Sequence, residues 1–463
     1  MNALNSLIKG FSDGGVVSVA NYPGYFSHDV FFELGGESIS VNEKTAFETA
    51  FGASLAGVRS LVTMKNVGLS ACADQFLHAT LTGVHAGLVL LVTDDTKVVA
   101  SQERQDSRHY RDFNTGLWLE PSSPQMAYDM AYESFELSER FDIPVVIRLT
   151  SQFFELEGDL TLQSPQAQKR IPPEKNPSKF IAYPNYWSKQ HTTMQKKTDA
   201  IQEYVDKLYA NSVNNDHEKG DIIVGCNDEE LATKPFYNSD VLLVNHYPLP
   251  VKAMQKFIDN HTEIMLYEQG NSYVIDTIYK EYGKPIVQNK IHASSGDCPD
   301  RPDTWKVWDH LEVLFSALKS VNPSYVIGDV GQYTVESHHS IDACLCLGSS
   351  VGTTLGVALN GVSYPFCVVG DGAFTHGNIL AVEEARNRGA AFGIIIIDNG
   401  GSQATGGQQL AIGTSALVAE SIPRQYVKYE STDASQLAAA LNEMRDSNTL
   451  SILHLNTEIL HGH

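Results

Sequence analysis

Two short apolar runs, Tyr364–Val369 and Phe392–Ile397, flank a segment from Asn378 to Arg388 that carries Ile379, Leu380, Val382 and Ala385 on one side. Charged residues fill the positions between, and Gly389 follows as a stop signal. This pattern predicts strand, helix, strand: a parallel βαβ unit with a right-handed crossover. No other stretch constrains the chain as much, because a parallel pair requires an α/β sheet with helices on its faces. The crossover also puts both strand ends at one carboxyl edge. Asp371 follows the first strand and Asn399 the second, 28 positions later. That edge is where open α/β sheets bind ligands.

One carboxylate and one amide oxygen suit a hard divalent cation that keeps part of its shell for phosphate oxygens, as magnesium does. Gly370, Gly372, Gly400 and Gly401 let the backbone approach closely and offer N–H groups to an anion. The same residues also suit two tight strand-end turns. Gly-Asp-Gly by itself occurs by chance in roughly one chain in ten of this length. The tripeptide, the spacing and the terminal Asp-Asn together are specific. Gly370-Asp371-Gly372, 25 further residues and Asp398-Asn399 resemble the thiamine diphosphate motif that anchors Mg²⁺ and the diphosphate. That motif usually ends Asn-Asn; Asp in the first place also occurs in the indolepyruvate ferredoxin oxidoreductase alpha subunits.

The resemblance implies thiamine diphosphate and Mg²⁺ as cofactors, with Asp371, Asn399 and Gly401 as metal ligands. It places Gly370, Gly372, Ala373 and Ser402 around the diphosphate. Asp329 to Thr334 and Cys344 to Gly352 resemble cofactor-binding segments of the same subunits, which implies roles for Gln332, Tyr333, Thr334, Gly348, Ser349 and Ser350. Gly348 to Gly352 also reads, without the resemblance, as a small-residue turn before a helix, suited to a diphosphate or to a plain tight turn.

Upstream, Val16–Ala20, Ile39–Val41, Leu61–Met64, Leu88–Thr93 and Pro144–Leu149 read as strands between helical segments. Glu43 follows Asn42, a residue suited to an N-cap, and an acid in a first turn is favoured by the helix dipole alone. Ser40 to Lys44, Leu61 to Leu69, Asn21 to Gly24, Ser101-Gln102 and Gln105 to Arg108 resemble the pyrimidine-binding domain of the same family. By that resemblance Glu43 hydrogen-bonds the aminopyrimidine ring and promotes its imino tautomer, with Pro23 and Gly68 near the cofactor. Arg108 and His109 read either as solvated loop charges or, for Arg108, as a clamp on a substrate carboxylate. The resemblance makes their loop an active-site segment, although Arg104 replaces a common acid there. His376 suits general acid/base work or turn packing. His78 and His85, seven apart, read as packed histidines on one helix face. Cys344 and Cys346 form a Cys-x-Cys without partners and read as core.

The balance of 33 Lys and Arg against 55 Asp and Glu, net −22, argues against nucleic acid or an anionic membrane as partner. No basic-then-apolar leader is evident, and the apolar windows are too short to span a bilayer. The six cysteines are scattered, as in reduced thiols, so a cytoplasmic location is expected. The 463 residues allow several domains. The expected division is an α/β protein of three domains with parallel sheets. It comprises a pyrimidine-binding domain (1–160), a linker and surface helix (161–218), a middle domain resembling the transketolase C-terminal kind (219–295) and a diphosphate domain (296–463).

The related alpha subunits end in a ferredoxin-like domain with Cys-x-x-Cys runs for [4Fe–4S] clusters. This sequence contains no Cys-x-x-Cys. The expectation is non-oxidative decarboxylation of a 2-oxo acid, aromatic and indolepyruvate-like, to an aldehyde or an acyloin, by a homodimer or larger assembly. The alternatives are an oxidoreductase subunit with clusters on a separate partner chain, and a catalytically silent homologue. Retention of Glu43, Asp371 and Asn399 together argues against the last.

Overall fold

The computed structural model describes residues 1–22, 27–96, 106–150, 153–154, 156–168, 170–182, 184–225, 238–268, 273–274, 277, 311–336, 338–402, 408–409, 422–428 and 433–457. The first sheet is built from β1 (Ser18–Asn21), β2 (Ser60–Lys65), β3 (Leu88–Asp94), β4 (Trp118–Leu119) and β5 (Val145–Thr150). These run parallel in the order β1-β2-β3-β5-β4. Around them lie α1 (Ala3–Asp13), α2 (Ser27–Glu33), α3 (Glu43–Leu55), α4 (Asn66–Ala71), α5 (Ala73–Thr82), α6 (His109–Phe113) and α7 (Pro124–Phe141). All seven residues of β3 are buried, which is why its sequence is a near-continuous apolar run rather than an alternating one.

Two expectations fail here. Ile39–Val41 is not a strand: Ser40 makes one backbone bond to Asn21, and the Val41 amide turns away to a carboxylate on another domain. A β-branched tripeptide with no partner strand cannot form a ladder. His78 and His85 do not share a helix, because Gly83, at φ +85°, ends α5 between them. His85 instead bonds the Pro172 carbonyl.

The helix α8 (Pro184–Leu208) leads to the second sheet. Its strands β6 (Lys219–Val224), β7 (Asp240–Val244) and β9 (Glu263–Glu268) are parallel in the order β7-β6-β9, with α9 (Val251–Asn260) among them. The short β8 (His246–Tyr247) leaves this unit and pairs antiparallel with β4, adding a sixth strand to the first sheet.

The third unit contains α10 (Glu312–Val321), β10 (Val326–Gly328), α11 (Ser350–Leu359), β11 (Phe366–Gly370), α12 (Ile379–Asn387) and β12 (Gly393–Asp398). It is completed by the ribbon β13 (Gly401–Ser402) and β14 (Gln408–Gln409), β15 (Arg424–Lys428), α13 (Ala434–Ser447) and β16 (Ser451–Asn456). The five-stranded parallel sheet is ordered β10-β11-β12-β16-β15. The βαβ unit read from the sequence is therefore present, with Gly370 in register with Ile397.

Domains one and three meet helix to helix. A Cβ on Gly52 of α3 would lie 2.1 Å from the Thr353 carbonyl oxygen, and one on Gly356 of α11 would lie 2.1 Å from that of Thr49. Backbone meets backbone at this crossing, so glycine is required at both positions. Among the described residues, no helix is long and apolar enough to cross a membrane.

Candidate active site at the junction of the first and third domains

The register of β11 and β12 sets Asp371 level with Asp398 on neighbouring strands, which lie roughly 4.8 Å apart. Asn399 is the next residue along, so both lie at the same carboxyl edge. Asp371 is buried and accepts from the Gly372 amide at 2.7 Å, while Asn399 is half-buried. The ribbon carrying Gly401 and Ser402 packs against Asp371–Ala373. Gly400 takes φ +77°, and a Cβ there would meet nothing within 4 Å. A carboxylate, an amide and open space beside them fit a cation that retains oxygen ligands of its own. Tyr333 flanks the motif, its hydroxyl accepting from the Gly370 amide at 3.0 Å, and Thr334 donates to the Gly331 carbonyl of its own turn. Gln332 lies in that same turn.

The replacement of Asn by Asp398 has a structural counterpart. His454 of β16, fully buried, places Nε2 2.6 Å from one Asp398 oxygen, and the other oxygen accepts from the Gly400 amide. An Asn offers one side-chain oxygen where the carboxylate uses two. The carboxylate therefore anchors the turn that presents Asn399.

The segment Gly348–Ser350 departs from expectation. Asp329, fully buried, accepts from the amides of Gly348 at 2.8 Å and Ser350 at 3.0 Å, and from Asn378 Nδ2 at 2.9 Å. The anion expected at this helix N-terminus is already supplied by a protein carboxylate. Ser349 turns back on Cys346, its hydroxyl donating to that carbonyl at 2.6 Å. These residues shape the junction without offering those amides to a diphosphate. The sequence placed Asp329 in a segment resembling cofactor-binding ones but gave it no role of its own. Its spacing to Gly348 has no local signature.

On the opposite wall, Asn42 caps α3 by accepting from the Thr45 amide at 2.8 Å, so Glu43 opens the helix as expected. Its side chain lies over Gly68, where a Cβ would come within 2.4 Å of Glu43 Cγ. Lys44 reaches across to the Gly348 carbonyl at 2.5 Å, and its ammonium lies 3.2 Å from where a Cβ on Gly377 would be. The start of α3 and the segment after Asp371 thus share one cleft. Behind Lys44, Glu48 is fully buried beneath Gly352, and burial raises its carboxyl to about 8 despite the adjacent ammonium.

His376 is exposed on the lip of this cleft, with Nδ1 2.9 Å from a Cβ placed on Gly348. Near it, Asp74, His78 and Cys346 bring possible ligand atoms within 4.8 Å of one another, so Cys346 does have neighbours that sequence spacing hid. Asp74 and His78 already pair at 3.1 Å, and burial pushes the Cys346 thiol far up. Asp74 and His78 thus form a partly exposed polar pair beside a buried thiol. Among the described residues, Cys72, Cys344, Cys346 and Cys367 are free and buried, as a core reading of the Cys-x-Cys pair requires.

Arg108 corrects the sequence reading. Its guanidinium is fully buried, bonded to Asp106, 2.9 Å from Glu268 of β9 and 3.3 Å from the Tyr247 hydroxyl. A side chain so enclosed is no solvated loop charge; it joins the first and second units. His109 is exposed beside it, edge-on to Tyr273 with ring centroids 5.2 Å apart. Pro23 lies outside the described residues, as do Cys226 and Cys298.

Residues 39–219 match the family described as pyruvate flavodoxin/ferredoxin oxidoreductase, thiamine diphosphate-binding, and residues 329–454 match the thiamine pyrophosphate enzyme C-terminal TPP-binding domain. Among curated relatives, the indolepyruvate oxidoreductase subunit IorA of Methanothermobacter thermautotrophicus is 27% identical, covering 87% of this chain and 75% of that one. The subunit of the same name from Archaeoglobus fulgidus is also 27% identical with the same coverage. Among solved structures, a thiamine diphosphate-dependent 4-hydroxybenzoylformate decarboxylase from Rhodococcus jostii RHA1 superposes with TM-score 0.56 over both chains at 12% identity, a likeness of fold. The two matched regions supply the two walls of the cleft. The chain is accordingly a thiamine diphosphate-dependent enzyme of the 2-oxo acid family, related to the indolepyruvate oxidoreductase subunits IorA.

Proposed function

We propose that this protein uses thiamine diphosphate and Mg²⁺ to decarboxylate an aromatic 2-oxo acid without an external oxidant, releasing an aldehyde or joining the fragment to a second carbonyl as an acyloin. The observation that carries this reading is the shared cleft. Glu43 stands on one wall and Asp371 with Asn399 on the other, and Lys44 reaches from the first toward the Gly348–Gly377 side of the second. When bound, the cofactor supplies the electron sink for loss of CO₂.

The protein's own groups do the rest. Asp371, Asn399 and the Gly401 backbone would hold the cation, with Gly370, Gly372, Ala373 and Ser402 lining the diphosphate. Glu43, pressed against Gly68, would hold a proton shared with the aminopyrimidine ring. His376, exposed beside Gly348, would move protons on the substrate side. Leu347 is 39% exposed next to that position and gives an aromatic side chain an apolar contact.

The kinship to IorA favours a second reading, an oxidoreductase subunit whose clusters reside on a separate chain; the sequence itself has no Cys-x-x-Cys. Product analysis separates the two. The purified chain is incubated with thiamine diphosphate, Mg²⁺ and a panel of 2-oxo acids, without oxidant. CO₂ with aldehyde or acyloin supports the first reading. Turnover that appears only with an artificial electron acceptor overturns it in favour of the second.

A further inference from the structure

The loop between α2 and α3 ends at Glu43; Gly35 and Gly36 bond back to α2 at its start, and Asn42 caps α3 at its end. Residues 37–39 are exposed, and Ser40 makes one backbone bond, to Asn21. Further anchors, at Ser38, Ser40 and Val41, come from the third domain. Glu384 of α12, buried to 3% exposure, accepts from the Ser40 hydroxyl at 3.1 Å and from the Val41 amide at 2.9 Å. Arg388, one turn further along α12, pairs with Glu384 at 2.9 Å and donates to the Ser38 carbonyl at 2.6 Å.

We propose that Glu384, clamped by Arg388, is a positioning residue for Glu43, setting the first turn of α3 from across the domain junction. The proposal rests on the role of Glu43 given above. Geometry favours positioning over plain adhesion between domains. The bonds go to the backbone and short side chain of the residues just before Glu43, not to the tips of long surface side chains. Val41 is two residues from Glu43, and Asn42 between them is fixed as the helix cap. Asp371 opens a helical run that continues unbroken through residues 374–378 into α12, so the proposed cation ligand and the clamp lie on one continuous stretch. Glu384 acts through Glu43 and touches no reacting atom.

The test has two readouts, neither requiring the substrate to be known. In the cofactor-free chain, backbone hydrogen–deuterium exchange across residues 37–44 accelerates in Glu384→Ala. In the chain loaded with thiamine diphosphate and Mg²⁺, exchange of the cofactor C2 proton, followed by quenched-flow NMR, slows by about 10–100-fold. Cofactor affinity changes little, because Asp371 and Asn399 are untouched. The double variant Glu384→Ala/Glu43→Ala exchanges no more slowly than Glu43→Ala, because the two residues act as one unit. Ser40→Ala and Arg388→Ala are milder cuts of the same clamp and carry the test if Glu384→Ala does not fold; each is expected to slow C2 exchange in part. Wild-type C2 exchange in the folded variants overturns the proposal. Unchanged exchange in Glu43→Ala alone overturns the reading of Glu43 itself, and the two failures are thereby told apart.

Discussion

At the scale of single residues, Glu43 is supported by what lies beneath it. Gly68 has no Cβ, and any other residue there would push the carboxylate off its seat. Glu43→Ala should lower turnover by about 10²–10⁴-fold, the usual range for a removed acid/base group, with circular dichroism and melting temperature unchanged. Glu48, five positions on, behaves differently. Burial, opposed by Lys44, raises its carboxyl from 4.5 to about 8. The folded state therefore binds that proton more tightly than the unfolded chain does. This contribution is fully present below about 4.5 and is lost as pH rises toward about 8. A melting temperature that declines across that window, and a flatter profile in Glu48→Gln, are the expected results of thermal scans at a series of pH values. The same profile in both proteins would remove Glu48 from the account.

At the scale of elements, the junction depends on α3 and α11 crossing at Gly52 and Gly356. Gly52→Val forces the backbones apart, since its Cβ has only 2.1 Å before Thr353. A loss of about 2 kcal/mol is expected from overpacking, measured by denaturant unfolding, together with weakened cofactor binding because the two walls separate. Arg108 belongs to a second junction. With Arg148 it pairs against four acids, Asp94, Asp106, Glu120 and Glu268, where β3, β4, β5 and β9 come together. Arg108→Met leaves buried acids uncompensated and should destabilise by about 3 kcal/mol, while KM for the substrate stays unchanged. A selective rise in KM without loss of stability would restore the carboxylate clamp.

At the scale of the molecule, the first and third domains each supply one wall of the candidate site. A ligand that binds both walls binds only the folded, closed pair. Thiamine diphosphate with Mg²⁺ at about 100 times Kd should add about 2.7 kcal/mol to stability by mass action. Chelation of the metal should abolish most of that gain, because the diphosphate then faces Asp371 without a cation between them. Differential scanning calorimetry with and without chelator measures both effects. We expect a homodimer or larger assembly, which light scattering would test.

What the sequence by itself determined is what local spacing can encode. The alternation of apolar runs and amphipathic segments specified parallel α/β units, and the βαβ crossover placed Asp371 and Asn399 at one edge. The Asn42 cap put Glu43 at the start of its helix. Only the tertiary structure decided the contacts made between distant segments. Arg108 lies in a polar stretch that looks solvent-facing, yet β9 and Tyr247 enclose it. Asp329 takes the amides that a glycine-rich turn seemed to reserve for phosphate, and His454 accounts for an unusual Asp398. Glu384 reaches Ser40 across 344 positions. Hydrophobic periodicity reports which face of an element is buried, but not which partner buries it. Charge pairing across domains leaves no period in the chain. The candidate site was therefore legible in the sequence, while the groups that hold its walls in shape were not.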